Sequence, residues 1–268
     1  MDEKPARHEI TRKRVLFEVP GMDAVTVRRD IAYRTTDTGV LTMDVYRPPE
    51  AGAPLPAVMF LMGFSDAGVR THLGCAAKEM ESYISWARLV AASGFVTITY
   101  TTGVDPAVDT PAAFDYVTQH ADSLGIDRHR LGAWACSGHG PTALALLMGG
   151  TGLRPRFAAL FYPYTIDLDG RTEIVEAQRV WGFANPAAGK SAADLPADVP
   201  LFIVRAGLDQ MPYLNSSLDR FIAAALALNL PITLINHATG SHAFDISDDS
   251  GKTPAVVKQT LEFFARQA

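Results

Sequence analysis

A serine flanked by small residues, where an apolar run meets a helical one, is a candidate nucleophile. Trp134-Ala135-Cys136-Ser137-Gly138-His139-Gly140 follows the apolar Leu131-Gly132-Ala133 and precedes the helix-like Thr142-Ala143-Leu144-Ala145-Leu146-Leu147. A sharp strand-to-helix turn at this point lifts the serine hydroxyl clear of a sheet. It also leaves backbone N–H groups of the helix start free to face an oxyanion. A hydroxyl becomes a useful nucleophile only when a neutral imidazole takes its proton and a carboxylate fixes the tautomer of that imidazole. Two later apolar runs end in the right groups. Asp209 closes Val204-Arg205-Ala206-Gly207-Leu208-Asp209, and His242 stands in Thr239-Gly240-Ser241-His242-Ala243-Phe244. Serine, acid and histidine in this chain order, each after a strand, point to acyl transfer.

Each assignment has a rival. Ser137 also suits a helix N-cap. Asp209 suits a loop turn, with Asp194, Asp198 and Asp219 as substitute acids, and His237 lies five residues before His242. Cys136 competes as nucleophile. Register favours Ser137, because the position two before the nucleophile must be small: it is Ala135 for Ser137 and Trp134 for Cys136. His139 falls two residues after the serine, where glycine is usual, and either lines the site or packs on a neighbouring strand. Tyr164, Trp181, Phe183, Met211 and Tyr213 lie on loops at the same predicted face. With Met62 and His139 they are candidates to line a substrate pocket, the alternative being that the aromatics close the core.

The elements that must position these groups alternate. Val25–Val27, Asp30–Tyr33 and Leu41–Tyr46 read as an antiparallel hairpin turning at Thr38-Gly39. Ala57–Leu61, Phe95–Tyr100, Arg130–Ala135, Phe157–Phe161, Leu201–Val204 and Ile232–Ile235 read as buried strands. Helical patterns run over Glu81–Ser93, Pro111–Leu124, Leu214–Leu228 and Pro254–Arg266. The expectation is an α/β chain: a mostly parallel central sheet with an antiparallel N-terminal hairpin and helices on both faces. Residues 1–24 form an N-terminal extension, 25–268 one domain, and about 165–199 a small cap or loop insertion.

Composition narrows the function. The chain has 268 residues, 48% of them hydrophobic, enough for one sizeable core. A net charge of −5 argues against a nucleic-acid partner. Phe221–Leu228 is too short to span a bilayer, so no membrane partner is expected. Two cysteines and an N-terminus without the apolar stretch of a secretory signal lead to an expected cytoplasmic location. His72, His129 and His139 lack metal-ligand spacing and phosphate-binding glycine loops are absent, so no metal or cofactor is implied. A homodimer remains open.

Leu61-Met62-Gly63-Phe64, Asp127–Gly140, Ala206-Gly207-Leu208-Asp209 and Gly240-Ser241-His242-Ala243-Phe244 together resemble α/β-hydrolases of the dienelactone-hydrolase and small carboxylesterase type, over residues 25–266. The resemblance implies the α/β-hydrolase fold, a Ser137-His242-Asp209 triad, and an oxyanion hole built from the N–H groups of Gly138 and Phe64. It implies hydrolysis of a small or short-acyl carboxylic ester. A lactone, thioester or carbon–carbon bond is the alternative substrate, and a non-catalytic ligand-binding protein the alternative class. Two positions depart from the family pattern: Met62, where His often precedes the glycine, and His139.

Overall fold

Strongly apolar five- and six-residue runs become the centre of a sheet, because strands covered on both faces have no polar side to show. The computed structural model describes residues 6–49, 52, 54–149 and 153–268. Its eight strands are β1 (Thr26–Thr36), β2 (Gly39–Arg47), β3 (Leu55–Phe60), β4 (Val96–Tyr100), β5 (Ile126–Cys136), β6 (Ala158–Phe161), β7 (Leu201–Ala206) and β8 (Ile232–His237). They form one sheet in the order β1-β2-β4-β3-β5-β6-β7-β8. β1 and β2 pair antiparallel, as do β2 and β4, and every later pairing is parallel. This is the expected mostly parallel sheet with an antiparallel N-terminal hairpin. Asp30, at φ +54°, interrupts the β1–β2 register between Arg28 and Ile31, which is why β1 read as two short pieces.

The helices are α1 (Asp66–Leu73), α2 (Glu81–Ala92), α3 (Pro106–Gln119), α4 (Ala121–Leu124), α5 (Gly140–Leu147), α6 (Glu173–Trp181), α7 (Leu214–Ala227) and α8 (Lys252–Gln267). α3 begins five residues before the expected Pro111, because Asp105 caps it by accepting the Ala107 N–H and Pro106 occupies its first turn. The expected single helix to Leu124 breaks at His120 into α3 and α4. α1 and α6 were not expected. α6 lies within 165–199, and Ile166, Ile174, Ala177, Phe183, Ala187 and Leu195 of that segment are buried. The segment is thus anchored to the core by its own apolar side chains.

Residues 1–5 of the expected N-terminal extension lie outside the described residues. Its remainder is tied down. Val15 is buried and its N–H donates to Ser85 Oγ, while Leu16 N–H donates to the Asp245 carbonyl. Among the described residues no helix is long and apolar enough to cross a membrane.

Candidate active site

Parallel strands β3, β5, β6, β7 and β8 all deliver their C-terminal ends to one edge of the sheet, where ligands of open α/β sheets bind. Ser137 follows β5 directly. Its φ of +51° is left-handed, a conformation a non-glycine residue holds only when its surroundings enforce it. Ala135, two residues earlier, is fully buried. The turn is pinned on its far side: the Ser137 carbonyl accepts the Tyr164 N–H at 3.0 Å. A Cβ added at Gly140 would lie 2.0 Å from the Tyr164 carbonyl oxygen, so only glycine fits where α5 leaves the turn.

Ser137 Oγ lies 3.0 Å from His242 Nε2, and His242 Nδ1 lies 2.7 Å from Asp209 Oδ2. The three residues named from chain order thus form one hydrogen-bonded line. The second oxygen of Asp209 accepts the Met211 N–H at 2.9 Å, and the carboxylate is wholly buried, whereas the imidazole is 28% exposed. Burial with two donors holds the carboxylate in one orientation. The loops carrying these groups are laced together: Gly207 N–H donates to the His237 carbonyl and Leu208 N–H to that of Gly240. This fixes the end of β7 against the end of β8, and so Asp209 against His242.

His237, the rival histidine, is buried. Its Nε2 lies 3.0 Å from Asp248 Oδ2 and 3.4 Å from Thr253 Oγ1. The rival acids also point elsewhere. Asp194 accepts from Ser191, Asp198 pairs with Arg154 and Asp219 with Arg205. Cys136 Sγ lies 3.8 Å from the Tyr83 hydroxyl, and burial pushes its thiol up to about 12. A thiol that stays protonated at neutral pH is a poor nucleophile.

Behind His242 stands a group of residues that the sequence did not single out. The Tyr162 ring packs 4.9 Å from the imidazole, and its hydroxyl donates to Asp245 Oδ1 at 2.6 Å. Asp245 Oδ2 accepts Trp86 Nε1–H at 2.7 Å. Asp245 is buried, and that burial raises its pKa against the opposing pull of these two donors. Trp86, Tyr162 and Asp245 come from three distant parts of the chain. The only sequence signal was an acid three residues beyond His242.

The expected pocket residues divide. Trp181 and Tyr213 are exposed and Met211 is half-buried at the rim. Met62, His139, Tyr164 and Phe183 are buried. Tyr164 donates from its hydroxyl to the Pro212 carbonyl and stacks on Phe183, with centroids 5.0 Å apart. Phe183 meets Phe64 edge-on at 6.0 Å. Satisfied polar tips and stacked rings make these residues the wall behind the site. Gly138 sits under that wall, and a Cβ there would lie 2.6 Å from the Phe64 ring and 2.9 Å from Phe183. The Gly138 N–H stands at the start of its helical turn and has no acceptor among the described residues. The Phe64 N–H has no acceptor among the described residues.

No protein-family model matches the chain, and no curated protein matches its sequence. Solved structures do. A bacterial heroin esterase superposes with a TM-score of 0.68 at 17% identity, over 94% of this chain and 87% of that one. The esterase LipW from Mycobacterium marinum gives 0.66 at 18%, over 91% and 82%. Propionate-bound esterase Est2 from Thermogutta terrifontis gives 0.64 at 20%, over 92% and 96%. Likeness at such identity speaks for architecture. Strand order, the strained turn after β5 and these superpositions agree: the chain has the α/β-hydrolase fold.

Proposed function

We propose that this protein is a serine hydrolase of carboxylic esters. The observation that carries the reading is the line Ser137 Oγ–His242 Nε2 and His242 Nδ1–Asp209 Oδ2, at 3.0 and 2.7 Å. In this reading His242 Nε2 takes the hydroxyl proton as Ser137 Oγ bonds to the ester carbonyl carbon. Asp209 holds the Nδ1–H tautomer and balances the imidazolium. The N–H groups of Gly138 and Phe64 meet the oxyanion. The tetrahedral adduct expels the alkoxide, which leaves as the alcohol with the proton from His242. Water, deprotonated by His242, then attacks the acyl-enzyme and releases the acid and Ser137.

Phe64 and Phe183 crowd the turn beside Ser137, which supports small or short acyl groups. The solved structures of Est2 with propionate and with butyrate bound point the same way. Est2 has also been phosphonylated by sarin, the chemistry of an activated hydrolase nucleophile. These neighbours favour the esterase side of the family resemblance over the dienelactone-hydrolase side.

Fluorophosphonate labelling, read by intact mass and peptide mapping, tests the reading. The expected result is one adduct, on Ser137, and hydrolysis of p-nitrophenyl acetate ahead of long-chain esters. Ser137→Ala should keep the melting temperature and lose roughly three to six decades of turnover. An active Ser137→Ala with an inactive Cys136→Ala would overturn the assignment. Absence of any adduct together with tight binding of a small ligand would turn the protein into a binding module.

A further inference from the structure

His139 is the largest departure from the pattern around the serine, and its side chain is fully engaged. Nδ1 lies 2.6 Å from the Gly63 backbone nitrogen. A backbone N–H can only donate, so Nδ1 is the acceptor and the ring proton is on Nε2. Nε2–H therefore donates to the Tyr83 hydroxyl at 2.8 Å, and that hydroxyl lies 3.8 Å from Cys136 Sγ. Burial lowers the imidazole pKa to about 4, which keeps it the neutral acceptor this arrangement needs.

Gly63 precedes Phe64, and the peptide planes on either side of it are both held. In the Met62–Gly63 peptide the carbonyl accepts Thr110 Oγ1–H at 2.8 Å and the N–H is taken by His139. In the Gly63–Phe64 peptide the carbonyl accepts the Ala184 N–H at 2.6 Å. A trans peptide points its C=O and N–H in opposite directions, so the Phe64 N–H is turned away from Ala184, and it has no acceptor among the described residues. Contact is close as well: a Cβ on Gly63 would lie 2.7 Å from the Gly138 carbonyl oxygen and 3.0 Å from His139 Cα. The segment that donates Phe64 N–H and the turn that donates Gly138 N–H are thus clamped together, and the imidazole is the side-chain part of the clamp.

We infer that His139 is a positioning residue for ester hydrolysis, fixing the Gly63–Phe64 segment relative to Ser137 through its Nδ1 acceptor. The inference rests on the ester-hydrolase reading. It unites the two departures from the family pattern, since the imidazole stands on the serine turn and anchors the segment beginning at Met62 from that side.

Two variants separate the positioning role from a structural one. His139→Asn keeps an acceptor near the Nδ1 position and loses the donor to Tyr83. His139→Gln reaches toward Tyr83 and leaves Gly63 N–H without its acceptor. The expected result is a crossing. His139→Gln is the more stable of the two, yet loses kcat about 10- to 100-fold with KM within about twofold, short of the ~10²–10³ for deleting an oxyanion donor outright. His139→Asn melts lower yet recovers most of that loss. Hydrogen exchange at the Gly63 amide, followed by NMR, reports the clamp independently of turnover: protection should fall in His139→Gln and persist in His139→Asn. Activity that follows melting temperature in both variants would overturn the inference, as would full kcat in His139→Gln. A wild-type protein that neither turns over esters nor takes a fluorophosphonate would overturn the ester reading and the catalytic role of the clamp with it, while Gly63 protection would still report the contact.

Discussion

Lowering the pH from 6.5 toward 4 should destabilise the wild-type protein by about 3 kcal/mol more than its His139→Gln variant. In the folded protein burial takes the His139 pKa from an ordinary 6.5 down to about 4. Between these values the unfolded chain binds a proton that the folded chain excludes, so stability is lost as pH falls through this window and is fully present above it. At about 1.4 kcal/mol per pH unit, the separation amounts to about 3 kcal/mol. Tyr83, which bonds the ring, and Cys136 beyond it are both pushed upward by burial and stay neutral throughout. Carboxylates that titrate elsewhere do so in both proteins and cancel in the comparison. Urea unfolding at half-unit steps from pH 7 to pH 4 measures the difference. With m of roughly 3 kcal/mol/M, the wild-type midpoint should fall by about 1 M relative to that of the variant. Parallel midpoints across the range, or a His139 resonance that titrates near 6.5 in the folded protein, would refute the assignment of a buried neutral acceptor.

Asp209→Asn keeps an acceptor for Met211 N–H but presents an amide to His242 Nδ1. It should cost on the order of four decades in kcat with little change in melting temperature, read on p-nitrophenyl acetate. Lys78 reaches Asp44 and Asp30 at 2.7 Å, with only Asp30 well exposed, so Lys78→Met should destabilise by about 3–5 kcal/mol in urea unfolding by stranding Asp44. Adding Asp44→Leu should recover much of that loss, and equal instability of the double variant would count against the stranded-charge account.

The sheet and the serine line were legible because both rest on local pattern. Buried parallel strands are continuous apolar runs, and each of Ser137, Asp209 and His242 follows one of them. Small neighbours made the serine turn recognisable, and Ala135 decided between Ser137 and Cys136. What stayed hidden depends on partners distant in sequence. Gly63 and His139 lie 76 residues apart, and Tyr162 and Asp245 lie 83 apart. No spacing rule connects them. α6 was missed because residues 165–199 are rich in Asp, Ala, Pro and Gly, and its burial comes from a few anchors such as Ile174 and Ala177. Tyr164 and Phe183 were read as either lining a pocket or closing the core, because aromatics on loops suit both. Their stacking on one another turns them into a wall.

Ala184, which holds the Gly63 carbonyl, belongs to the segment inserted between β6 and β7. On the ester-hydrolase reading, that segment borders the substrate and also sets the direction of a donor to the oxyanion. Choice of substrate and speed of turnover are then written in the same stretch of chain. Exchanging residues 165–199 for a longer or shorter segment, as one would swap a module to change acyl preference, alters the reaction rate unless an N–H is kept where Ala184 supplies it.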